Sequence, residues 1–102
     1  MVEHLILFNA EASPEEVRGM VRKAQEVLLK IPGVCGLRYG EALSKGARYR
    51  YWLSILFEGP EVVPFYRDHP LHVEFADTVF RPMAQDRITT DYLVLTEVLC
   101  GK

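Results

Sequence analysis

The chain has 102 residues, 49% apolar and 25% charged, and its 12 Lys and Arg against 14 Asp and Glu leave a formal net charge of −2. That length predicts a single domain, residues 1–102, burying roughly 60–70% of its unfolded surface, and the apolar content excludes extended disorder. The acidic balance argues against nucleic acid, whose partners present a net basic face.

Val2 to Phe8 is apolar and too short for a stable helix, so it is expected as a buried strand. Its apolar part, Leu5 to Phe8, is short and preceded by Glu3 and His4, whereas a signal peptide has a basic start and a longer apolar stretch. Ser13-Pro14-Glu15-Glu16 opens a helix with Ser13 as N-cap, Pro14 in the first turn and Glu16 closing a capping box. Val17, Met20, Val21, Ala24, Val27, Leu28 and Ile31 then form an apolar stripe, Lys30 ends the helix with a favourable charge, and Pro32-Gly33 stops it. Val34 to Glu41 and Tyr49 to Phe57 read as the second and third strands, separated by a turn at Ser44-Lys45-Gly46. Gly59-Pro60 begins a second helix, where Pro64 is tolerated in the first turn. Asp68-His69-Pro70 interrupts it, because a residue before proline avoids the α region. Leu71 to Phe80 resumes it, and a last strand runs from Ile88 to about Leu95. The order β-α-β-β-α-β predicts an α+β, ferredoxin-like protomer with a four-stranded antiparallel sheet and two helices on one face.

The strands are apolar on both faces. His4, Ile6 and Phe8 alternate with Leu5 and Leu7; Tyr49, Tyr51, Leu53, Ile55 and Phe57 alternate with Trp52 and Leu56; Ile88, Tyr92 and Val94 alternate with Leu93 and Leu95. Two helices cover only one face, and the other exceeds the few hundred Å² usual on a monomer. A second copy packing sheet to sheet is the expected cover, giving a homodimer. The two cysteines, Cys35 and Cys100, are too few for a disulfide scaffold and lack paired metal-ligand spacing. No stretch approaches the ~20 apolar residues needed to span a bilayer. A cytoplasmic protein without membrane or nucleic-acid partners is expected.

Chemistry-bearing residues concentrate in Tyr66-Arg67-Asp68-His69-Pro70-Leu71-His72. After Pro70, helical spacing groups His72 with Phe75, Ala76 and Val79, so an ionisable ring lies on the inward stripe. Tyr66 shares a face with Val62 and Val63, and His4 sits on a strand expected at the sheet centre. Tyr66 and His72 are therefore candidate acid–base residues for a carbonyl compound with an acidic neighbouring C–H, without cofactor. His4, His69, Tyr51 and Phe75 are candidate lining residues for a small-molecule ligand. The structural alternative is that Tyr66, His69 and His72 only cap and hydrogen-bond the helix break. A metal at His69 and His72 with Asp68 or Glu74 is disfavoured, since Pro70 spoils their common face.

These segments carry a resemblance. Val2-Glu3-His4-Leu5-Ile6-Leu7-Phe8, Ile31-Pro32-Gly33-Val34, the Tyr66–His72 string with Phe75, and Asp91-Tyr92 together resemble the stress-responsive dimeric α/β-barrel family. The resemblance covers nearly the whole chain, and Tyr-x-x-His-Pro-x-His is its most specific part. It implies a protomer whose sheet pairs with a second copy into a barrel. It implies two kinds of activity: stress-induced plant proteins with no established reaction, and a cofactor-independent polyketide cyclase. Similarity to the cyclase implies Tyr66 and His72 as the acid–base pair and His4 as a pocket residue. Tyr51 stands where the cyclase carries a pocket histidine, a departure that weakens the parallel in substrate and reaction. The leading expectation is a lyase, cyclase or isomerase on a small carbonyl compound. The alternative is a non-catalytic ligand-binding or stress-protective dimer, and a cofactor-free oxygenase rests on shared topology alone.

Overall fold

The computed structural model describes residues 1–101. Four strands, β1 (Val2–Phe8), β2 (Val34–Glu41), β3 (Tyr51–Phe57) and β4 (Arg87–Leu93), form one antiparallel sheet in the order β2-β3-β1-β4. Helix α1 (Pro14–Leu28) follows β1, and α2 (Val62–Asp68) and α3 (Pro70–Phe75) follow β3. A π-helical turn at Ala76–Phe80 and a short α4 (Arg81–Met83) complete the second crossover. The ferredoxin-like topology agrees with the sequence reading, with β1 and β3 central.

Helix α1 begins as its residues dictate. The Ser13 hydroxyl accepts from the Glu16 N–H at 3.2 Å, and the Glu16 carboxylate accepts from the Ser13 N–H at 2.9 Å, a closed capping box. Val17, Met20, Val21, Ala24 and Leu28 are buried, whereas Val27 only borders the core. The helix ends at Leu28, so Lys30 lies past its last turn and does not serve its C-terminus as expected. Arg18 instead fastens α1 to β2, its Nε and an amino nitrogen each 2.8 Å from a Glu41 carboxylate oxygen.

The β1 register sorts the sheet into two faces. Val2, Ile6 and Phe8 lie under the helices with Leu53, Ile55 and Phe57 of β3, all buried. Leu5, Leu7, Trp52 and Leu56 are half-buried on the helix-free face, where Ile88 and Tyr92 of β4 are exposed. Glu3, Ser54 and Arg38 form a polar chain on that face, with Ser54 Oγ and an Arg38 nitrogen 2.6 and 2.7 Å from the same Glu3 oxygen.

Other bounds also differ from the sequence reading: α2 starts at Val62 rather than at Gly59-Pro60, and β4 at Arg87 rather than Ile88. β3 starts at Tyr51 rather than Tyr49, because Arg50 donates its N–H to the Asn9 side chain at the ladder's end. β4 spans Arg87–Leu93 rather than ending near Leu95, since β1, its ladder partner, starts at Val2, opposite Leu93. The resumed helix is not one α-helix to Phe80. The Arg81 N–H bonds to the Ala76 carbonyl, five residues back. Pro82 accounts for the widened turn: it cannot donate to the Thr78 carbonyl, and its ring would collide with that group in a regular helix. The extra residue turns Phe80 inward, where it is buried against Phe8, while the expected Val79 is only partly buried.

Candidate functional site

The site originates in a broken helix. Tyr66 and His72 are six positions apart and would lie roughly 120° apart on an unbroken α-helix. His69, forced out of the α region by Pro70, takes φ −68° and ψ 134° and lets the chain restart. Its ring Nδ1 accepts from the Leu71 N–H at 3.1 Å, so His69 is the N-cap of α3. The break brings the Tyr66 and His72 rings together with centroids 4.2 Å apart. His4 approaches from β1, its ring 5.6 Å from Tyr66 and 5.7 Å from Phe57.

These three side chains meet in a cavity of about 280 Å³ between the helices and the β1–β4 half of the sheet. The cavity is open because the inner row of β4 is Arg87, Thr89 and Asp91, opposite Phe8, Ile6 and His4, and no helix covers that row. Ile6, Phe57 and Phe80 supply apolar wall.

Hydrogen bonds fix two imidazole tautomers. The partner of His72 Nδ1 is the Arg67 carbonyl at 3.0 Å, an acceptor only, so Nδ1 carries the proton and Nε2 the lone pair in the neutral ring. Burial pushes the His72 pKa below its ordinary value and favours that neutral form. His4 Nδ1 lies 2.6 Å from an Asp91 carboxylate oxygen, which orients the ring and leaves Nε2 for other partners. Burial, with the Asp91 charge as a smaller cause, raises the Tyr66 pKa far above the ordinary phenol value and keeps its hydroxyl protonated. Tyr66 is 3% exposed, and among the described residues its hydroxyl has no hydrogen-bond partner, yet it is not sealed from the cavity. The cavity thus offers a neutral imidazole, an imidazole–carboxylate pair and an unengaged phenol.

Of the residues singled out in the sequence, Tyr66, His72 and His4 come together. Phe75 is buried behind them, against a small void shared with the same three rings. His69 does not join the cavity: its ring faces the outer side of the break, 5.5 Å from Phe65. Tyr51 is also elsewhere, beyond Phe8 on the β2 side, stacked between Phe8 and Tyr39. His69 and His72 point apart, and among the described residues no cluster of three His, Cys, Asp or Glu suits a metal. The sequence reading missed Arg87, Thr89 and Asp91 as cavity residues. The sequence carried only a partial signal, since Arg87-Ile88 and Asp91-Tyr92 alternate but Thr89-Thr90-Asp91 is polar on both faces, and the register with β1 decides which row faces inward.

Among curated proteins none matches this chain in sequence. Solved structures do. A protein of Arabidopsis thaliana is 26% identical, with a TM-score of 0.83 over 97% of this chain and 100% of its own. A Dabb family protein with a ferredoxin-like fold from Mesorhizobium loti is 24% identical, with a TM-score of 0.80 over 93% and 97%. A dimeric ferredoxin-like protein of unknown function from Thermobifida fusca is 22% identical, with a TM-score of 0.75 over 91% and 90%. The fold is shared at lower identity by a hydroxynitrile lyase from Passiflora edulis and a cofactor-independent oxygenase from Streptomyces nogalater, at 13% and 11%. Residues 2–94 match the sequence model of the stress responsive A/B barrel domain, and the chain belongs to that family, Dabb.

Proposed function

We propose that the protein is a cytoplasmic homodimer, paired through the helix-free sheet faces, whose cavity carries out cofactor-independent acid–base chemistry on a small carbonyl compound. The observation that carries this reading is the convergence of the free Tyr66 hydroxyl, the neutral His72 ring and the His4–Asp91 pair on one cavity. His72 Nε2 takes the proton from the carbon next to the carbonyl. The electron pair moves onto the carbonyl oxygen, where the Tyr66 hydroxyl stabilises the developing oxyanion by donating a hydrogen bond. His4, held by Asp91, stands ready to pass a proton to or from the product. The enolate can then be reprotonated, lose a leaving group or attack a second carbonyl, the steps that distinguish isomerase, lyase and cyclase.

Self-association is supported by the apolar row of Leu5, Leu7, Trp52 and Leu56 that no helix covers, and by dimeric neighbours of the same fold. No helix among the described residues is long and apolar enough to cross a membrane. The lyase and oxygenase neighbours share the fold at identities too low to transfer activity, so the chemistry rests on the side chains.

The test is exchange of α-protons of small ketones and β-keto esters into deuterium oxide, followed by proton NMR. The wild type should accelerate exchange, and Tyr66→Phe and His72→Ala should each reduce the acceleration by about a hundredfold or more, with the dimer and its melting temperature nearly unchanged. If such compounds stabilise the protein against heat but never exchange faster, the catalytic reading fails. The apolar Ile6, Phe57 and Phe80 walls then support a non-catalytic ligand-binding or stress-protective dimer.

A further inference from the structure

The cavity wall carries three guanidinium groups, of Arg67, Arg81 and Arg87, against one carboxylate, that of Asp91. Most of these charges are already engaged. Arg67 lies 3.3 Å from Asp68 and Arg81 lies 2.6 Å from Asp77, while Asp91 is bonded to His4. Arg87 differs. Its one hydrogen bond among the described residues goes to the Ala84 carbonyl at 2.9 Å, and no described carboxylate pairs with it. The adjacent Asp86 is taken up by Arg48, at 3.0 and 3.2 Å, and by Asn9 at 2.8 Å. Arg87 is nonetheless half-buried, at the first position of β4, where the neighbouring Asn9 N–H bonds to the Asp86 carbonyl and holds the strand. A partly desolvated guanidinium without an anion, fixed on a strand inside a cavity, is the arrangement that recognises carboxylates by two parallel hydrogen bonds.

We infer that Arg87 makes this cavity selective for anionic ligands, specifically small molecules bearing a carboxylate. For the ligand's other end the inference rests on the acid–base reading above: the carbonyl lies at Tyr66 and His72. Arg87 and Asp91 are four strand positions apart, or roughly 13 Å between Cα atoms. The long Arg87 stem shortens that gap, so the ligand carries its carboxylate a few bonds from its carbonyl. Thr89, between them on the same inner row, has a hydroxyl available to the ligand's middle. A keto acid meets these requirements, and the corresponding neutral ketone leaves Arg87 unpaired.

The test compares three probes of one length by ligand-observed NMR and calorimetry: 4-oxopentanoate, 4-oxopentanamide and pentanoate. Wild-type protein should bind 4-oxopentanoate at least about tenfold more tightly than the uncharged amide, with affinity falling as salt is raised. Arg87→Gln should abolish that preference, and Arg87→Lys should retain part of it. Equal binding of acid and amide by the wild type, failure of 4-oxopentanoate to bind at millimolar concentration, or a preference that survives in Arg87→Gln would each overturn the inference. The wild-type comparison needs no variant, so it stands even if Arg87→Gln is unstable through loss of the Ala84 bond. Pentanoate separates the two readings. If it binds as tightly as 4-oxopentanoate while the amide does not, the Arg87 anchor holds and the carbonyl site at Tyr66 and His72 fails.

Discussion

Replacing Gly40 by Ala tests the dimer through a residue that lies in no active site. Gly40 pairs with Trp52 across β2 and β3 on the helix-free face, and the indole lies over the space where a side chain would stand. A Cβ built at Gly40 falls 2.0 Å from Trp52 Nε1, 2.3 Å from Cε2 and 2.6 Å from Cζ2. Ordinary carbon contacts need about 3.5 Å or more, so the ring must move outward by roughly 1.5 Å, away from its own sheet, which disturbs the Arg38 guanidinium that sits over it, 5.7 Å from the ring centre. In a monomer the displacement would cost little, since alanine suits a strand better than glycine. In a sheet-to-sheet dimer the moved ring enters the partner's layer. An indole buries about 150–250 Å²; Trp52 is half-buried within its own protomer, so losing half of the remaining area in each of the two protomers, at about 25 cal/mol per Å², weakens association by about 2–3 kcal/mol, or roughly 30- to 150-fold in the dissociation constant. Sedimentation equilibrium over a concentration series measures this directly, with tryptophan fluorescence reporting that the ring has moved. Gly46→Ala is the control, because its Cβ would meet only Ser44 Oγ, at 3.9 Å. An unchanged dissociation constant with a shifted fluorescence spectrum would refute pairing through this face.

Gly33→Ala should destabilise the protomer by about 2 kcal/mol or more, since φ is +91° there and the new Cβ would sit 2.6 Å from a Val62 methyl; a melting temperature lowered by roughly 8–16 °C would register it. Ser13→Ala removes the acceptor for the Glu16 N–H and should cost about 1 kcal/mol in urea unfolding, with ligand binding intact. His72 sets a pH dependence. Its pKa is lower folded than unfolded, so the unfolded chain takes up the proton first. The stability that the neutral ring contributes is complete above the unfolded value near ~6.5 and is lost as pH falls through the folded value. Urea titrations across this range should show a stability decline on the acid side that is smaller in His72→Gln; an identical decline in both proteins would assign it elsewhere.

The elements legible in the sequence are those whose local rules agree with their surroundings. Ser13 to Glu16 spells a capping box and forms one, and Val2–Phe8 and Val34–Glu41 are strands with the bounds their composition implies. The two-faced apolar pattern identified a sheet that helices cover on one side only. What could not be read was set by contacts between distant segments. Arg87, Thr89 and Asp91 became cavity residues only through their register with Phe8, Ile6 and His4, whereas the apolar Ile88, Tyr92, Leu93 and Leu95 make the last strand look apolar on both faces. His69 looked like a lining residue because it stands between Tyr66 and His72, but the extended conformation imposed by Pro70 directs its ring to the α3 backbone. Tyr51 falls on the helix-facing side, yet a strand's face does not reveal which helix lies above it. The π turn required knowing how Pro82 would be relieved, and the one-residue change from Val79 to Phe80 followed from it.

Three departures from regular structure fall together, and their coincidence is physically informative. Within one small region the molecule breaks a helix at His69-Pro70, widens the next at Ala76–Phe80 and leaves the inner row of β4 polar. Each forgoes some stability: broken helical hydrogen bonds, imperfect π-turn packing, and a sheet edge with no apolar cover. A protein selected for packing alone would be expected to remove at least one of them, for example by making Thr89 and Asp91 apolar so that α3 could settle on β4. The three irregularities instead share one result. The first turns Tyr66 and His72 towards each other, the second brings Phe80 in as a wall, and the third supplies Asp91 to His4 and leaves Arg87 without a carboxylate among the described residues. Local rules broken in concert around one cavity are what the proposed ligand site requires, since the polar groups it uses have to be held away from a closed core.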